Sequence, residues 1–318
     1  MATKNFSDQN KIGSGSNGIV YKGNFGERLV VVKRRTSSSI PKDSMSYEEI
    51  ATLSHIQHHN IEHLVGYCDE EGEKIVVYDF VKNHTLAYHL QDEHRSKLGW
   101  NVRLKILIGV AQGLCHLNSC LPKAFCLHSN LKSSNILLDE YFVAKVANFG
   151  SAKRGFLVEL YNHCDITTKI DTYSFGIIML EVLSGRRVID RSYNLITCIF
   201  EKEASDILDP LLRGNISQNS LNICWNVAKI CCSEHTLPTL HMSSVVSHLE
   251  TALFMSKTDS RNVGNMSPKI PLSELKLHDT RLEEGSARPT LIGNHDQAQR
   301  GTKRTYQEAH GNTLHTLR

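Results

Sequence analysis

Three glycines stand in a turn between two apolar half-strands, Ile12-Gly13-Ser14-Gly15-Ser16-Asn17-Gly18-Ile19-Val20-Tyr21-Lys22-Gly23. Glycine has no Cβ, so at this spacing backbone N–H groups can come close to a phosphate. Taken alone, such a turn is equally at home in a dinucleotide-binding site. That version runs straight into a helix, whereas here a second strand follows, Arg28-Leu29-Val30-Val31-Val32-Lys33. Lys33 ends an otherwise apolar strand: by itself a strand-end lysine with its head in water, beside a glycine turn a cation placed for phosphate. A second polar group lies between Cys126 and Gly150, where two short loops flank an apolar hairpin of Ile136-Leu137-Leu138 and Val143-Ala144-Lys145-Val146. The first loop, His128 to Asn135, carries Asn130, Lys132 and Asn135; the second is Asn148-Phe149-Gly150.

The elements that position these groups follow from pattern. Ser46 to Ser54 has apolar residues at helical spacing and carries Glu48 and Glu49. Two strands, Ile61 to Cys68 and Lys74 to Phe80, are joined by the acidic turn Asp69-Glu70-Glu71-Gly72. Beyond them the period becomes helical. Helices are expected over His84 to His94, Trp100 to Leu117, Ile170 to Ser184, Leu221 to Cys232 and Ser243 to Leu253. From Ser256 to Arg318 the chain is rich in Ser, Asn, Lys, Arg, Glu and Gly, with too little apolar surface to offset ordering, and reads as a disordered tail.

Composition narrows the class. Hydrophobic content of 40% and charged content of 22% over 318 residues suit a soluble globular chain of one large domain or two lobes. A net charge of +3 gives no basis for nucleic-acid binding. No apolar run reaches the 18 or more residues of a membrane span, and no signal peptide is read at the start. Met1-Ala2 lacks the second-position glycine that N-myristoylation needs. The nine cysteines are irregularly spaced and read as reduced core thiols, so the expectation is a cytoplasmic protein. The patch His55-Ile56-Gln57-His58-His59 reads as a polar helix-to-strand loop rather than a metal site.

In order, these motifs resemble the domain of plant receptor-like and receptor-like cytoplasmic serine/threonine protein kinases. Besides the glycine turn and Lys33, the resemblance rests on Asn5-Phe6-Ser7, Gly66-Tyr67-Cys68, the W-x-x-R of Trp100 to Arg103 and K-S-S-N-I-L-L-D from Lys132, and it covers roughly residues 2–255. It implies an α+β, bilobal fold: a β-rich N-lobe over about 8–81 and a helical C-lobe over about 82–255. ATP would bind in the cleft between them. Ile12, Gly13, Gly15, Gly18, Val20, Val31, Lys33, Glu49, Tyr78, Asp79, Val81 and Leu137 are the implied nucleotide residues. By the same resemblance Glu49, or failing that Glu48, would be the partner of Lys33, Tyr78 would be the gatekeeper, and backbone groups of Asp79 and Val81 would face the adenine. Leu53, Leu64, His128 and Phe149 match the column that links the lobes, with Asp171 at its base. Glu62 is out of pattern, a charge where such kinases carry an apolar residue.

The departures bear on function. Asn130 stands where the catalytic base, an aspartate, is expected; a neutral amide cannot accept a proton near neutral pH, and general-base help is worth about 10²–10⁴ in rate. Asn148 replaces the aspartate of the D-F-G motif, so at Asn135 and Asn148 magnesium would be held weakly or not at all. Lys132 keeps its place in the catalytic loop. Ser129 replaces the arginine of H-R-D, the segment from Gly150 to Asp171 is about half the usual length, and the R-P-x-M motif reads Leu237-Pro238-Thr239-Leu240. The resemblance therefore implies a pseudokinase that takes ATP and acts as a scaffold or allosteric partner of an active receptor-like kinase, held in the cytoplasm or at the inner face of the plasma membrane through that partner. Two alternatives stand beside it: a weakly active serine/threonine kinase, and a degenerate product without function.

Overall fold

A computed structural model describes residues 2–15, 18–35, 54–70, 72–120, 128, 130–148, 164–187, 189–190, 193–214, 216–233, 240–259 and 315–316. The expected helix over Ser46 to Ser54, with Glu48 and Glu49, and the segment after Asn148 lie outside them, apart from Ser54 itself. So do Ser129 and Leu237 to Thr239.

The first lobe is an antiparallel sheet. Its strands are β1 (Lys11–Gly15), β2 (Gly18–Phe25), β3 (Arg28–Arg35), β4 (Leu64–Glu70) and β5 (Glu73–Asp79). They lie in the order β1-β2-β3-β5-β4, and a two-residue strand, His315–Thr316, adds to the outer edge of β4. Successive side chains on a strand point to opposite faces. Register then decides which residues share a face: Val20 lies opposite Lys33, Lys33 opposite Val76, and Val31 opposite Tyr78. That face looks into the cleft. The other face buries Tyr21, Val30, Val32, Val65 and Val77 in a small apolar core.

The second lobe is helical. Its main helices are α1 (Leu86–His89), α2 (Trp100–Cys120), α3 (Cys164–Ser184), α4 (Leu195–Glu201), α5 (Ala204–Ile207), α6 (Gln218–Cys232) and α7 (Met242–Asp259). Leu104, Leu107, Val110, Phe175, Ile178, Val245 and Leu249 are buried where α2, α3, α6 and α7 meet. A buried relay ties three of these helices: Trp100 Nε1 donates to Ser220 Oγ at 2.8 Å, and that hydroxyl donates to the Ala252 carbonyl at 2.7 Å. Two short strands, β6 (Ile136–Leu138) and β7 (Ala144–Val146), form the expected hairpin against α2.

The helical periods were legible, the ends less so. Of His84 to His94 only Leu86–His89 is α-helix: Thr85 caps its start by accepting from the Tyr88 N–H. The helix expected from Ile170 begins at Cys164, and α2 runs three residues past Leu117. The last helix continues to Asp259, through the boundary expected at Ser256. Ser256 is buried there and its hydroxyl donates to Asn101 Oδ1 at 2.7 Å, a contact 155 residues away in sequence that no local pattern encodes.

The lobes meet at the turn before β4. Val146 N–H donates to the Asn60 carbonyl at 2.8 Å, and Glu62 N–H donates to the Val146 carbonyl at 2.9 Å. Asn60 Nδ2 also donates to the Ala144 carbonyl at 2.8 Å. Gly109 and Gly113 let α2 lie flat against Asn60; a Cβ on either would fall 2.6–2.8 Å from it.

Candidate functional site

Lys33 projects from β3 onto the cleft face. Its ammonium donates to Glu62 Oε2 at 3.1 Å and Oε1 at 3.4 Å, and to Asn148 Oδ1 at 2.9 Å. It also lies over the Tyr78 ring, 4.2 Å from the centroid, a cation–π contact. The order continues through amides: Asn148 Nδ2 donates to Asn135 Oδ1 at 2.9 Å, and Asn135 Nδ2 to the Asn130 carbonyl at 2.7 Å. Lys33, Asn148, Asn135 and the Asn130 backbone carbonyl are thus brought together in one chain of hydrogen bonds. Asn148 sits at φ 60°, in the left-handed region that Asn tolerates better than most residues.

Glu62 belongs to this site and was not expected there. Its side chain is 2% exposed, and among the described residues Lys33 is its ion-pair partner. The sequence offered only a negative signal, one charge in the apolar run Ile61 to Cys68. What read as a charge out of place is a buried counter-ion, and a buried carboxylate keeps its charge only when paired. Burial, with the Glu62 charge second, holds the neighbouring Tyr78 hydroxyl well above the usual phenol range.

The catalytic-loop frame is anchored from below. Asp171 on α3 accepts from the His128 N–H at 2.7 Å, and His128 Nε2 donates to the Ala147 carbonyl at 3.0 Å. The Asn130 N–H donates to His128 Nδ1 at 3.3 Å, so the neutral imidazole has both nitrogens engaged. Burial pushes the His128 pKa down to about 4. Lys132 is exposed at the start of the turn Ser133–Asn135, while Asn135 is buried.

Val20, Val31 and Leu137 are half-buried, Tyr78 is buried, and Ile12 is half exposed on β1. A bridge between Thr85 and Leu137 holds Leu137 beneath the connection between the lobes. Asp79 donates its N–H to the His63 carbonyl at 3.1 Å, and its carboxylate receives both Arg28 Nε at 2.5 Å and an Arg28 terminal nitrogen at 2.7 Å. Among the described residues no backbone carbonyl takes the Val81 N–H. Gly13 and Gly15 lie on β1, and Gly18 opens β2 at φ 110°. Any Cβ on Gly18 would drive into the backbone of Arg34 and Arg35.

A hard divalent cation suits this donor set poorly. The oxygens offered at the two metal positions, Asn135 Oδ1 and Asn148 Oδ1, are neutral, and each already accepts a hydrogen bond. The nearby carboxylate, Glu62, is spent on Lys33. Among the described residues no group of three or more His, Cys, Asp or Glu is placed to hold a metal. Also among them, no helix is long and apolar enough to cross a membrane.

Comparison with known proteins bears on the family and the fold. A family profile described as protein tyrosine and serine/threonine kinase matches residues 6–157. The probable serine/threonine-protein kinase PBL25 of Arabidopsis thaliana is 34% identical over 296 residues, covering 83% of this chain and 77% of PBL25. PBL23 from the same plant is 35% identical, covering 81% and 75%. The Arabidopsis receptor-like protein kinase ANXUR2 is 34% identical over 80% of this chain but only 33% of its own length. The chain spans about a third of the length of such receptor-like relatives. A solved structure of an apo pseudokinase superposes with a TM-score of 0.65 at 25% identity, covering 80% of this chain and 93% of that one.

Proposed function

The chain belongs to the protein kinase family, alongside serine/threonine and receptor-like kinases, and from that premise we propose that it is a pseudokinase: a nucleotide-binding scaffold that does not transfer phosphate efficiently. The observation that carries this reading is the amide chain Lys33–Asn148–Asn135–Asn130. Where an active kinase needs a carboxylate to accept the substrate proton and another to hold magnesium, this site has the neutral side chains of Asn130 and Asn148, with Asn148 bonded to Asn135 and Asn135 to the Asn130 backbone carbonyl. The resemblance of the fold to a solved pseudokinase supports the same reading.

ATP fits this pocket without a tightly held metal. The half-buried Val20, Val31 and Leu137 cover the adenine, the Val81 N–H meets its edge, and the Lys33 ammonium meets the phosphates. Magnesium is bound weakly or not at all. The protein acts through its surfaces, docking to an active receptor-like kinase and biasing that partner's two-state equilibrium, in the cytoplasm or at the inner face of the plasma membrane through the partner.

The test is the thermal unfolding midpoint with and without ATP, in magnesium and in EDTA, for the wild type and Lys33→Ala. A ligand at 100 times its dissociation constant stabilises by about 2.7 kcal/mol, or roughly 5–10 °C for a domain of this size. A Lys33-dependent rise that survives EDTA supports the reading. No rise in a folded protein removes the nucleotide and leaves a kinase-shaped binding module. The second reading, a weakly active kinase, is favoured by the retention of Lys33, Lys132 and Asn135, since phosphoryl transfer leans on positioning. Phosphate incorporation abolished by Lys33→Ala would establish it.

A further inference from the structure

We propose that Glu62, and not a glutamate of the segment 36–53, is the residue that positions Lys33 for the phosphates of a nucleotide. The proposal rests on the nucleotide-binding reading above and names the group on which that reading depends.

Three observations carry it. Glu62 meets the Lys33 ammonium with both carboxylate oxygens, at 3.1 and 3.4 Å. It is 2% exposed, so its charge has no recourse to water and is held by this one cation. Its own backbone is fixed, because the Glu62 N–H is bonded to the Val146 carbonyl of the other lobe. The carboxylate therefore stands on backbone that is bonded to the hairpin, just before β4. Lys33 is anchored on the sheet through its pairing with Val76. Both partners of the ion pair are thus carried by backbone that is itself hydrogen-bonded.

The chemistry of the pocket follows. Asn148 Oδ1 and the Tyr78 ring take the rest of the ammonium's reach. An incoming phosphate displaces the neutral amide and not the carboxylate, since the charge-assisted bond is the stronger of the two. Without Glu62, the ammonium would keep the neutral Asn148 oxygen and the Tyr78 ring but no charge partner among the described residues, and its flexible stem would carry it toward solvent. Lys33 is already 23% exposed, so that escape is open. Glu62 is accordingly a positioning residue for nucleotide binding.

The experiment measures ATP affinity in EDTA and the unfolding midpoint for the full chain and for Glu62→Val, Glu62→Asp, Glu49→Gln, Lys33→Met and Glu62→Val/Lys33→Met. Glu62→Val is expected to weaken ATP binding roughly tenfold, as Lys33→Met does, with no further loss in the double variant. Glu62→Asp is expected to retain part of the affinity, and Glu49→Gln to stay within about twofold of wild type. Unchanged or tighter binding in Glu62→Val, or a tenfold loss in Glu49→Gln, overturns the proposal.

The unfolding arm keeps the test independent of nucleotide. Lys33→Met strands a buried carboxylate and is expected to lower the midpoint by roughly 5–10 °C, and adding Glu62→Val should recover at least half of that. Additive losses would overturn the pairing. If the wild type takes no ATP while this recovery is seen, the nucleotide reading fails and the role of Glu62 as the Lys33 counter-ion stands.

Discussion

The Asn148 side chain donates to Oδ1 of Asn135 at 2.9 Å, so the two residues at the metal positions of the fold are bonded to each other. One amide supplies the donor that an aspartate lacks. Asn148→Asp removes that donor and makes two carboxylates, the introduced one and that of Glu62, share the Lys33 ammonium. The variant without ligand is expected to be less stable by about 1–3 kcal/mol. Magnesium should restore part of the loss in Asn148→Asp and leave the wild-type midpoint unmoved. Melts with and without magnesium check both statements.

His128 makes stability depend on pH. Its folded pKa, about 4, lies below the ordinary value of 6.5, so the unfolded chain binds the proton first as pH falls. The contribution is fully present above pH 6.5 and is lost progressively toward pH 4. A shift of this size corresponds to about 3 kcal/mol. Burial also lowers the pKa of His58 and His89, which act in the same direction. Subtracting the profile of a His128→Gln variant isolates the His128 part, and that variant should be flatter between pH 6.5 and 4.

Two glycines of the phosphate turn are predicted to behave differently. Gly18→Ala combines φ 110° with a Cβ that meets the backbone of Arg34 and Arg35, and should cost about 1–3 kcal/mol. Gly15 has open space around its missing Cβ, so Gly15→Ala should change stability by no more than about 0.5 kcal/mol. Urea unfolding of both variants separates them, with midpoints shifted and slopes unchanged.

Asp209 holds the helical lobe together at one point. It is fully buried, accepting from Arg103 at 2.6 Å and pairing with Arg95 at 3.1 Å. Arg103 also donates to the Leu98 and Val182 carbonyls at 2.7 and 2.6 Å. Asp209→Asn leaves the buried Arg103 guanidinium without its charge partner, while Arg95 keeps Asp92 at 3.0 Å, and is expected to cost about 3–5 kcal/mol. Chemical denaturation would read the loss directly.

What could be read in the sequence was whatever local pattern or ordered motif encodes. The glycine turn, the apolar strand that ends in Lys33, and the hairpin of Ile136 to Val146 are set by neighbours in the chain. The long helices announced themselves through spacing, and the order of the motifs fixed the lobes. Glu62 escaped because its meaning comes from Lys33, 29 residues away, across a sheet register that no periodicity reveals. Ser256 escaped for the same reason, its partner Asn101 lying on another helix. The amides at 130 and 148 read as losses. In the folded chain those at 135 and 148 are also donors that satisfy neighbouring oxygens, a point visible only once Asn130, Asn135 and Asn148 are in place.

The pairing of residues 60–62 with Val146 also fixes how the molecule can move. The two lobes are joined along the covalent connection after Asp79 and again at this backbone pairing. A rotation that preserves both turns about the line through them, as a door turns on two pins. Glu62 sits at one of those pins, since its own N–H makes the pairing, so such a rotation would leave in place the backbone that carries the Lys33 counter-ion.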